Sequence, residues 1–323
     1  MNSADSGVSS RIASNRAALL ASGLGCFALA CWTLGCGPAR TVTAPTTSGG
    51  TDATYEVRLH RAAIVGKQHR IVTHGEHHET SQVRVGGKIE KNTREDAVIA
   101  FRAVERVVSI TDQGKSKRDE YTVEQFETTP QDGTATVLVA PGQVLTVDRG
   151  KRSEDTVVTL NGAAVPKPVK QALGLVISMS NGGAVDDDIF GSTTRRAIGA
   201  SWPIHGAVVA SDFALGTGIQ ATFTGETQLL QRTTLQNTDC LEFRAQMNGT
   251  VSKMPDMPEG TTIRTGTMIA TFGGFEPLDL TSRALKNATS IEIHIVMELP
   301  AKGQRAEVEL TTRDRKEETI TAL

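Results

Sequence analysis

The residues best suited to chemistry lie in one short polar segment, QHRIVTHGEHHET. Its imidazoles and carboxylates belong to His69, His74, Glu76, His77, His78 and Glu79. Such groups bind zinc, copper or nickel, and on a β-strand His74, Glu76 and His78 would share one face. The segment lacks the helical HExxH spacing of a metallohydrolase, and Gly75 disfavours a helix. We therefore favour a solvent-exposed polar hairpin end and assign neither a metal ligand nor a cofactor. A metal-binding protein or hydrolase that uses His74, Glu76 and His78 is kept as an alternative.

The four cysteines offer a second kind of chemistry. Cys26, Cys31 and Cys36 are spaced by five residues, which suits neither a zinc knuckle nor a CxxC redox pair. Cys240 lies alone in a strand-like run, DCLEFRAQM, which predicts a small residue on one strand face. A catalytic thiol would need a histidine partner that this pattern does not supply. The remaining chemistry of interest is lipid attachment near the amino terminus.

The first 35 residues have the organisation of an export signal. Residues 1–16 are polar and contain Arg11 and Arg16, residues 17–35 are apolar and uncharged, and Gly37-Pro38 then breaks any helix. This order is typical of a secretory signal peptide. We predict a signal peptide over residues 1–35 and a mature protein exported to the bacterial cell envelope. The alternative is a retained transmembrane helix, since an apolar run of this length just spans a bilayer.

Cys36 is the predicted site of lipid attachment. The run Thr33-Leu34-Gly35-Cys36 resembles a lipobox, with Thr33 where Leu is usual, and Ala28-Leu29-Ala30-Cys31 is a competing match. We prefer Cys36 because polar sequence begins directly after it. Two or more acyl chains on one cysteine, palmitate among them, anchor a protein stably where one chain does not. The expected location is a bacterial membrane, with the body facing the periplasm or the cell surface.

Behind the anchor, the sequence predicts a tether and a β-rich body. Residues 36–54 are rich in Thr, Ala, Pro, Gly and Ser without apolar periodicity, which indicates a flexible tether. The body divides into a β-rich first half (55–165), a helical connector (166–183) and a β-rich second half (184–323). Alternating runs such as EYTVEQFET are separated by turn signals at Asp132-Gly133, Asn161-Gly162, Asn248-Gly249 and Gly273-Gly274. We predict a mainly β protein, α+β at most, with antiparallel curved sheets or half-barrel-like halves.

One main helix is predicted near residues 168–179. Val169, Ala172, Leu173 and Val176 form an apolar stripe at i, i+3, i+4 and i+7. Pro168 suits a first helical turn and Gly182 a stop. The acidic run Asp186-Asp187-Asp188 that follows lacks the spacing of a calcium-binding EF-hand loop and is interpreted as a helix cap or a turn.

Composition argues against several classes of function. The chain has 34 Lys and Arg against 36 Asp and Glu and contains no polybasic run. It therefore creates no positive electrostatic potential that would attract nucleic acid. Two Trp, two Tyr and nine Phe are few for a sugar-stacking or base-stacking platform. No GxSxG motif is present, and no Ser, His and Asp order indicates a triad. We therefore assign no catalytic residue and expect the protein not to be an enzyme.

Two stretches carry a family resemblance. The turn Gly199-Ala200-Ser201-Trp202-Pro203, preceded by an Ala/Leu-rich helix, and the hairpin VVSITDQGKSKRDEYTVEQF resemble uncharacterised exported bacterial lipoproteins with a β-rich body. The resemblance covers most of residues 55–320 and implies a style of fold, with no established activity and no catalytic residues. A looser similarity is to the half-barrels of periplasmic lipid and lipoprotein carriers. We expect a non-catalytic binding or structural module, with an apolar ligand or an envelope protein as partner, and keep a lipid or lipoprotein carrier as an alternative.

Overall fold

The structure is a computed structural model, and it describes residues 53–130, 133–301 and 303–323. The predicted signal peptide, the lipidation sites and nearly all of the tether lie outside the described residues. The helices are α1 (Lys167–Gly174), α2 (Asp186–Phe190) and α3 (Gly206–Thr217). The strands are β1 (Thr54–Tyr55), β2 (Gln68–Val85), β3 (Lys88–Ile110), β4 (Ser116–Pro130), β5 (Thr136–Val137), β6 (Val144–Asp148), β7 (Val157–Leu160), β8 (Ala163–Ala164), β9 (Arg196–Ala197), β10 (Ser201–Pro203), β11 (Gln220–Leu235), β12 (Thr238–Lys253), β13 (Thr262–Pro277), β14 (Lys286–Ala301) and β15 (Gln304–Ala322).

The predicted mainly β fold with an antiparallel sheet is confirmed. A 13-stranded sheet has the order β10-β11-β12-β13-β14-β15-β2-β3-β4-β6-β7-β8, with β5 paired to β4. Strands that follow one another along the chain pair as antiparallel neighbours throughout most of this order. The exceptions are the pairing of β4 with β6, which passes over the short β5, and the pairing of β15 with β2, which runs from Ala306 opposite Val85 to Ala322 opposite His69. The pairing of β15 with β2 joins the two sequence halves into one curved, open sheet.

Two tight hairpin turns are formed by residues with positive φ. Asn161 (φ 49°) and Gly162 (φ 87°) connect β7 to β8, as the sequence predicts. Gln236 (φ 50°) and Asn237 (φ 60°) connect β11 to β12 without any glycine. Two consecutive residues with positive φ define the type I′ turn, whose twist matches that of the strands it joins.

Two predicted turns are wrong, because Asn248-Gly249 and Gly273-Gly274 lie inside β12 and β13. A Cβ on Gly249 would lie 2.7 Å from Cε1 of Phe223, and one on Gly274 would lie 2.8 Å from Cε1 of Phe243. Each glycine therefore leaves room for an aromatic ring from the neighbouring strand. Glycine within a strand often marks a bulge or a close approach of this kind.

The helices differ in part from the prediction. The helix expected at 168–179 spans Lys167–Gly174 and buries Val169 and Leu173, while the chain that follows it is no longer helical. The aspartate run forms the first turn of α2, a helix start rather than an open turn. The longest described helix, α3, was not predicted. Its sequence GAVVASDFALGT is apolar on almost every side, so no 3.6-residue stripe stands out.

Two apolar cores lie on the inner face of the sheet. The C-terminal core comprises residues of β11–β14 with α2 and α3, among them Phe190, Phe213, Phe243, Met247, Phe272 and Ile293. The N-terminal core comprises residues of β2–β4 and β6 with α1, among them Ile71, Phe101, Tyr121, Phe126, Leu145 and Leu173. Between them, β2 and β15 turn polar side chains to the same inner face, here named the polar seam: Thr73, His77, Glu79, Thr312, Asp314 and Lys316.

Candidate functional site

A cavity of about 220 Å³ lies between the two cores. Its wall includes β3, β4 and Arg149, which follows β6, on one side, β12 and β13 on the other, and β15 between them. Four of the lining residues are cationic and four are anionic: Arg61, Arg149, Arg283 and Lys316, and Glu105, Asp186, Glu276 and Glu318. Aromatic rings of Tyr121, Phe190, Phe243 and Phe272 complete much of the wall. Charged groups are rarely buried in such numbers unless they are paired or serve a site.

On the side of the N-terminal core, Arg149 is the centre of a hydrogen-bonded network. Its guanidinium donates to Asp119, to the hydroxyl of Tyr121 at 2.8 Å and to the carbonyl oxygen of Ser178 at 2.8 Å. The Tyr121 hydroxyl donates in turn to Glu105 at 3.0 Å. Burial raises the pKa of Tyr121 well above its ordinary value, so the hydroxyl stays protonated. This side of the cavity is therefore charged, satisfied and rigid.

Arg283 extends the network from the opposite side. It donates to Oε2 of Glu105, which also lies 4.0 Å from Nδ1 of His69. Burial alone would raise the pKa of Glu105, but Arg283 and Arg149 outweigh it and hold that pKa below its ordinary value. Burial and the same Arg283 lower the pKa of His69. Glu105 is therefore an ionised carboxylate with its partners in place, and His69 is neutral near pH 7.

The opposite end of the cavity is not satisfied in this way. Glu276, at the end of β13, is 5% exposed, and its Oε2 has no hydrogen-bond partner among the described residues. Arg61 approaches with Nη2 3.7 Å from that oxygen, but Nη2 donates to the carbonyl oxygen of Pro277 at 3.2 Å instead. Burial raises the pKa of Glu276 to about 8, with Arg61 opposing the shift and Asp186 adding to it. We name Glu276 with Asp186 the acidic end of the cavity.

Asp186 enters the cavity from the first turn of α2. Burial raises its pKa to about 6. Lys115, a cation close enough to lower that pKa, donates its Nζ hydrogens to the carbonyl oxygens of Gly182, Gly183 and Ala184 at 2.6–3.0 Å. The ammonium therefore fixes the loop before α2 and gives Asp186 only a Coulombic interaction.

The histidine-rich segment lies on β2, with alternate residues on opposite faces. His74, Glu76 and His78 share the outer face, as predicted, with Nε2 of His74 3.6 Å from Oε1 of Glu76. His78 is bonded through Nδ1 to Asp96 at 2.5 Å, which draws it toward β3 instead. Over residues 53–130, 133–301 and 303–323, no group of three or more His, Cys, Asp and Glu is placed to hold a metal ion.

His77 belongs to the polar seam. Its Nδ1 contacts Oδ1 of Asp314, across the β2–β15 pairing, at 2.6 Å. Burial would lower the pKa of His77, but the hydrogen bond and the charge of Asp314 raise it overall. Burial also raises the pKa of Glu79 to about 6. The seam therefore contains a paired imidazole and a carboxyl group that ionises with difficulty.

The other residues that the sequence analysis named have structural partners. Cys240 is fully buried on β12, and burial raises the pKa of its thiol, as expected for a packing residue. Trp202, in the Gly199–Pro203 turn, donates from Nε1 to the carbonyl oxygen of Phe190 at 2.8 Å. Cys31 and Cys36 lie outside the described residues.

Sequence reasoning missed the charged cavity. The signal that could have found it is a charged residue in phase with apolar ones on the same strand face. Glu105 is in phase with Ala103 and Val107, and Glu276 with Phe272, all of them buried. A charge at such a position is either a strand-end residue or a buried ionic group, and a local pattern does not separate the two.

Comparison with known proteins gives little that bears on function. No protein-family model matches the chain, and no curated protein matches it. An outer membrane channel from Pseudomonas putida F1 aligns with 80% of this chain and 97% of its own, at 11% identity and a TM-score of 0.20. Engineered proteins of asymmetric conductivity align with 78% of this chain and 99% of their own, at 9% identity and a TM-score of 0.15. With such low scores, neither structure informs the fold or the function of this chain.

Proposed function

We propose that this protein is an exported, lipid-anchored binding module of the bacterial cell envelope, attached through Cys36 and without catalytic activity. The cavity between the two cores is the observation that carries the binding role. It has about 220 Å³ of space, roughly that of seven water molecules at ~30 Å³ each. A small polar ligand fits this volume. The eight charged side chains of the wall disfavour an acyl chain, so the lipid-carrier alternative is the weaker one.

The export and anchoring part of the proposal rests on the leader. No helix that the structure describes is long and apolar enough to cross a bilayer. Cys36→Ala should release the protein from the membrane fraction or block its processing, and labelled palmitate should mark the wild type but not this variant. Cys31→Ala is the matched control and should leave both unchanged. If Cys31→Ala instead abolishes labelling, the anchor is five residues earlier.

The binding part can be tested by filling the cavity. Ala284 lines the cavity and is 8% exposed, so Ala284→Phe places a ring in the space for the ligand. The matched control is Ile269→Phe, because Ile269 is 56% exposed on β13. Full-length protein is purified in detergent, denatured, and the released small molecules are identified by mass spectrometry. We expect a compound released from wild type and Ile269→Phe but not from Ala284→Phe.

A folding defect in Ala284→Phe would mimic loss of the ligand. Asn287→Phe, from β14 on the same wall, is therefore made as a second variant. Far-UV circular dichroism establishes which variant keeps the native sheet. A folded filling variant that still releases the compound would overturn the cavity as the binding site.

The metal-binding alternative requires His74, Glu76 and His78 to act together. Nδ1 of His78 is already bonded to Asp96, so a metal ion would have to bind its Nε2. Metal analysis of the desalted full-length protein decides it. Stoichiometric zinc, copper or nickel that is lost in His74→Ala would support the alternative.

A further inference from the structure

We propose that one end of the sheet lies on the surface of the membrane that carries the lipid anchor, and that the turn Ile64–Lys67 inserts its apolar side chains between the lipids. This proposal rests on the anchoring part of the proposed function, because it takes the same membrane as the partner. It depends on exposed apolar side chains at this end, on the point at which the chain from the anchor enters the body, and on the charges nearby.

The turn Ile64–Lys67 precedes β2 and presents apolar side chains to solvent. Val65 and Gly66 (φ 83°) are its central residues, and the amide of Lys67 donates to the carbonyl oxygen of Ile64 at 3.1 Å. The amide of Gly66 donates to the carbonyl oxygen of Val107 at 2.9 Å, which fixes the turn to β3. Ile64 is 46% exposed and Val65 is 55% exposed. Turn centres are usually polar or small, so two adjacent branched apolar side chains on a fixed turn indicate a contact surface.

Three further exposed apolar side chains lie at the same end of the sheet. Strand pairing places the end of β3, the end of β15 and the loop between β13 and β14 at the end where β2 begins. These segments contain Ile110, Leu280 and Leu323, which are 38%, 47% and 60% exposed. Together with Ile64 and Val65 they are here named the apolar end. They belong to the ends of five neighbouring strands spaced by about 4.8 Å, so one flat surface can contact them together.

The chain that leads from the anchor enters the body at the same end of the sheet. β1 pairs with β9, and Arg232, near the end of β11, is hydrogen-bonded to Tyr55 of β1. The pairing of β11, β12 and β13 places the end of β11 at the same end of the sheet as the loop between β13 and β14. The first described residues therefore lie on the side of the body that carries the apolar end.

The length of chain between the anchor and the body makes this end the one within easy reach of the membrane. Cys36 and Ala53 are 17 residues apart, which allows a separation of at most about 60 Å at ~3.5 Å per residue. The opposite end of the sheet is a strand length further away, about 50 Å for the 16 residues of β12. Contact through the opposite end would need an almost fully extended connection, whereas contact through the apolar end does not. The anchor also gives the body a high effective concentration at the membrane.

The charges at this end of the sheet are nearly balanced. Lys67, Lys117 and Lys151 are exposed there and form no ion pair within the described part of the chain. Asp112 and Asp279 are the exposed acidic residues of the neighbouring turns that likewise form no ion pair with a described residue. Net charge therefore contributes little attraction to a membrane, and burial of the apolar side chains has to supply it. Docking should consequently occur on uncharged lipid and persist at high salt.

A second copy of the protein fits this end less well than a membrane does. A stable protein interface takes about 20–30 residues from each partner, packed as one complementary surface. The apolar end has five apolar side chains on separate turns and strand ends. A bilayer surface requires no complementary shape, and it accepts short apolar insertions.

The test places a fluorescent reporter on the turn. Full-length wild type, Val65→Trp and Ile269→Trp are purified in detergent and reconstituted into vesicles of phosphatidylcholine with brominated acyl chains, which quench tryptophan inside the bilayer. Ile269 is the matched control, because it is 56% exposed in the middle of β13. Subtracting the wild-type signal removes the native Trp32 and Trp202. We expect quenching of Val65→Trp to exceed that of Ile269→Trp by about threefold or more, also in ~1 M sodium chloride, where the screening length is about 3 Å.

A second pair of variants tests whether the apolar side chains hold the turn in the bilayer. Val65→Asp, combined with Ile64→Trp as the reporter, puts a charge into the inserted turn and should abolish the quenching. Ile269→Asp with the same reporter adds the same charge elsewhere and should leave the quenching unchanged. All of these positions are exposed, and far-UV circular dichroism checks that each variant keeps the native sheet.

The outcomes separate docking from anchoring, because sedimentation with the vesicles measures anchoring and quenching measures docking. If the protein sediments with the vesicles but Val65→Trp and Ile269→Trp are quenched equally, the anchor stands and the docking proposal is wrong. Quenching that Val65→Asp leaves unchanged would also overturn it. If the reporters are not quenched and Val65→Asp turns a dimer into a monomer in detergent, the apolar end binds a second copy instead. Protein that does not sediment with the vesicles would overturn the anchor and the docking together.

Discussion

Glu276→Gln should stabilise the protein increasingly as the pH rises. The folded protein raises the pKa of Glu276 from 4.5 to about 8, mainly through burial. Because the folded-state pKa is the higher one, the contribution of this group to stability is complete below pH 4.5 and is lost as the pH rises toward 8. The whole shift corresponds to about 5 kcal/mol, and the part lost by pH 7 to about 3 kcal/mol, at ~1.36 kcal/mol per unit.

Glutamine at this position does not ionise, so the variant escapes that loss. The free energy of unfolding is measured by urea denaturation of both proteins at several pH values from about 4.5 to 9, with circular dichroism as the signal. The variant-minus-wild-type difference should increase by about 3 kcal/mol by pH 7 and about 5 kcal/mol by pH 9. Taking the difference cancels the titration of His77 and Glu79, which the substitution leaves in place.

Glu292→Gln serves as the control, since its side chain is 42% exposed and paired with Arg313. Its difference from wild type should stay nearly constant over the same range. A constant or falling difference for Glu276→Gln would refute the reasoning. It would mean that Arg61 pairs with the carboxylate in solution and keeps it ionised at low cost.

Three further predictions concern the packing and the polar groups around the cavity. Gly249→Val should destabilise the protein by about 1–3 kcal/mol in urea unfolding, because its Cβ would lie 2.7 Å from the ring of Phe223. Tyr121→Phe should cost about 1–3 kcal/mol by the same measurement, because the hydroxyl accepts from Arg149 and donates to a buried carboxylate. Asp314→Asn should lower the pKa of His77, followed by NMR of the imidazole, because burial then acts with less opposition.

Each of these has a control and a contrary result. Thr250 lies beside Gly249 on the exposed face of β12, so Thr250→Val should leave the free energy of unfolding nearly unchanged. If Thr250→Val and Gly249→Val destabilise the protein equally, the contact with Phe223 is not the cause. If Tyr121→Phe lowers the free energy of unfolding by less than about 0.5 kcal/mol, a water molecule replaces the hydroxyl in its hydrogen bonds. An unchanged pKa of His77 in Asp314→Asn would mean that Asp314 does not set its charge.

The strands could be predicted from the sequence because alternation is a local signal. Runs such as EYTVEQFET have one buried and one wetter face, so their period of two survives in the residue pattern. The turn at Asn161-Gly162 follows from the same local logic, since both residues tolerate positive φ. Glycine pairs were ambiguous, however. At Gly249 and Gly274 the missing side chain makes room for a ring across the sheet, which no pattern along one strand reveals.

The cavity could not be predicted, because it depends on a pairing between distant parts of the chain. β15 pairs with β2, which places Lys316 opposite Gly75 and Asp314 opposite His77. Only this pairing brings Glu276 and Glu105, from different sequence halves, into one cavity. The histidine-rich segment attracted attention through its composition alone, whereas the charges that line the cavity are scattered singly along apolar strands.

The energetic balance of the cavity argues for a binding role more strongly than its shape does. Replacing a buried ionic group by a well-packed apolar one is often neutral or stabilising, so stability alone gives no reason to keep Glu276 ionisable between two apolar cores. Its ionisation costs the fold about 5 kcal/mol, a third or more of the free energy of a typical domain. Glu105, a carboxylate in the same cavity, has its donors in place, so the fold is able to satisfy a carboxylate there. The difference between the two glutamates is that Glu105 receives hydrogen bonds from Tyr121 and Arg283, whereas Glu276 has only the ion pair with Arg61 at 3.7 Å. A ligand that offset the charge at this end of the cavity would recover part of the cost on binding.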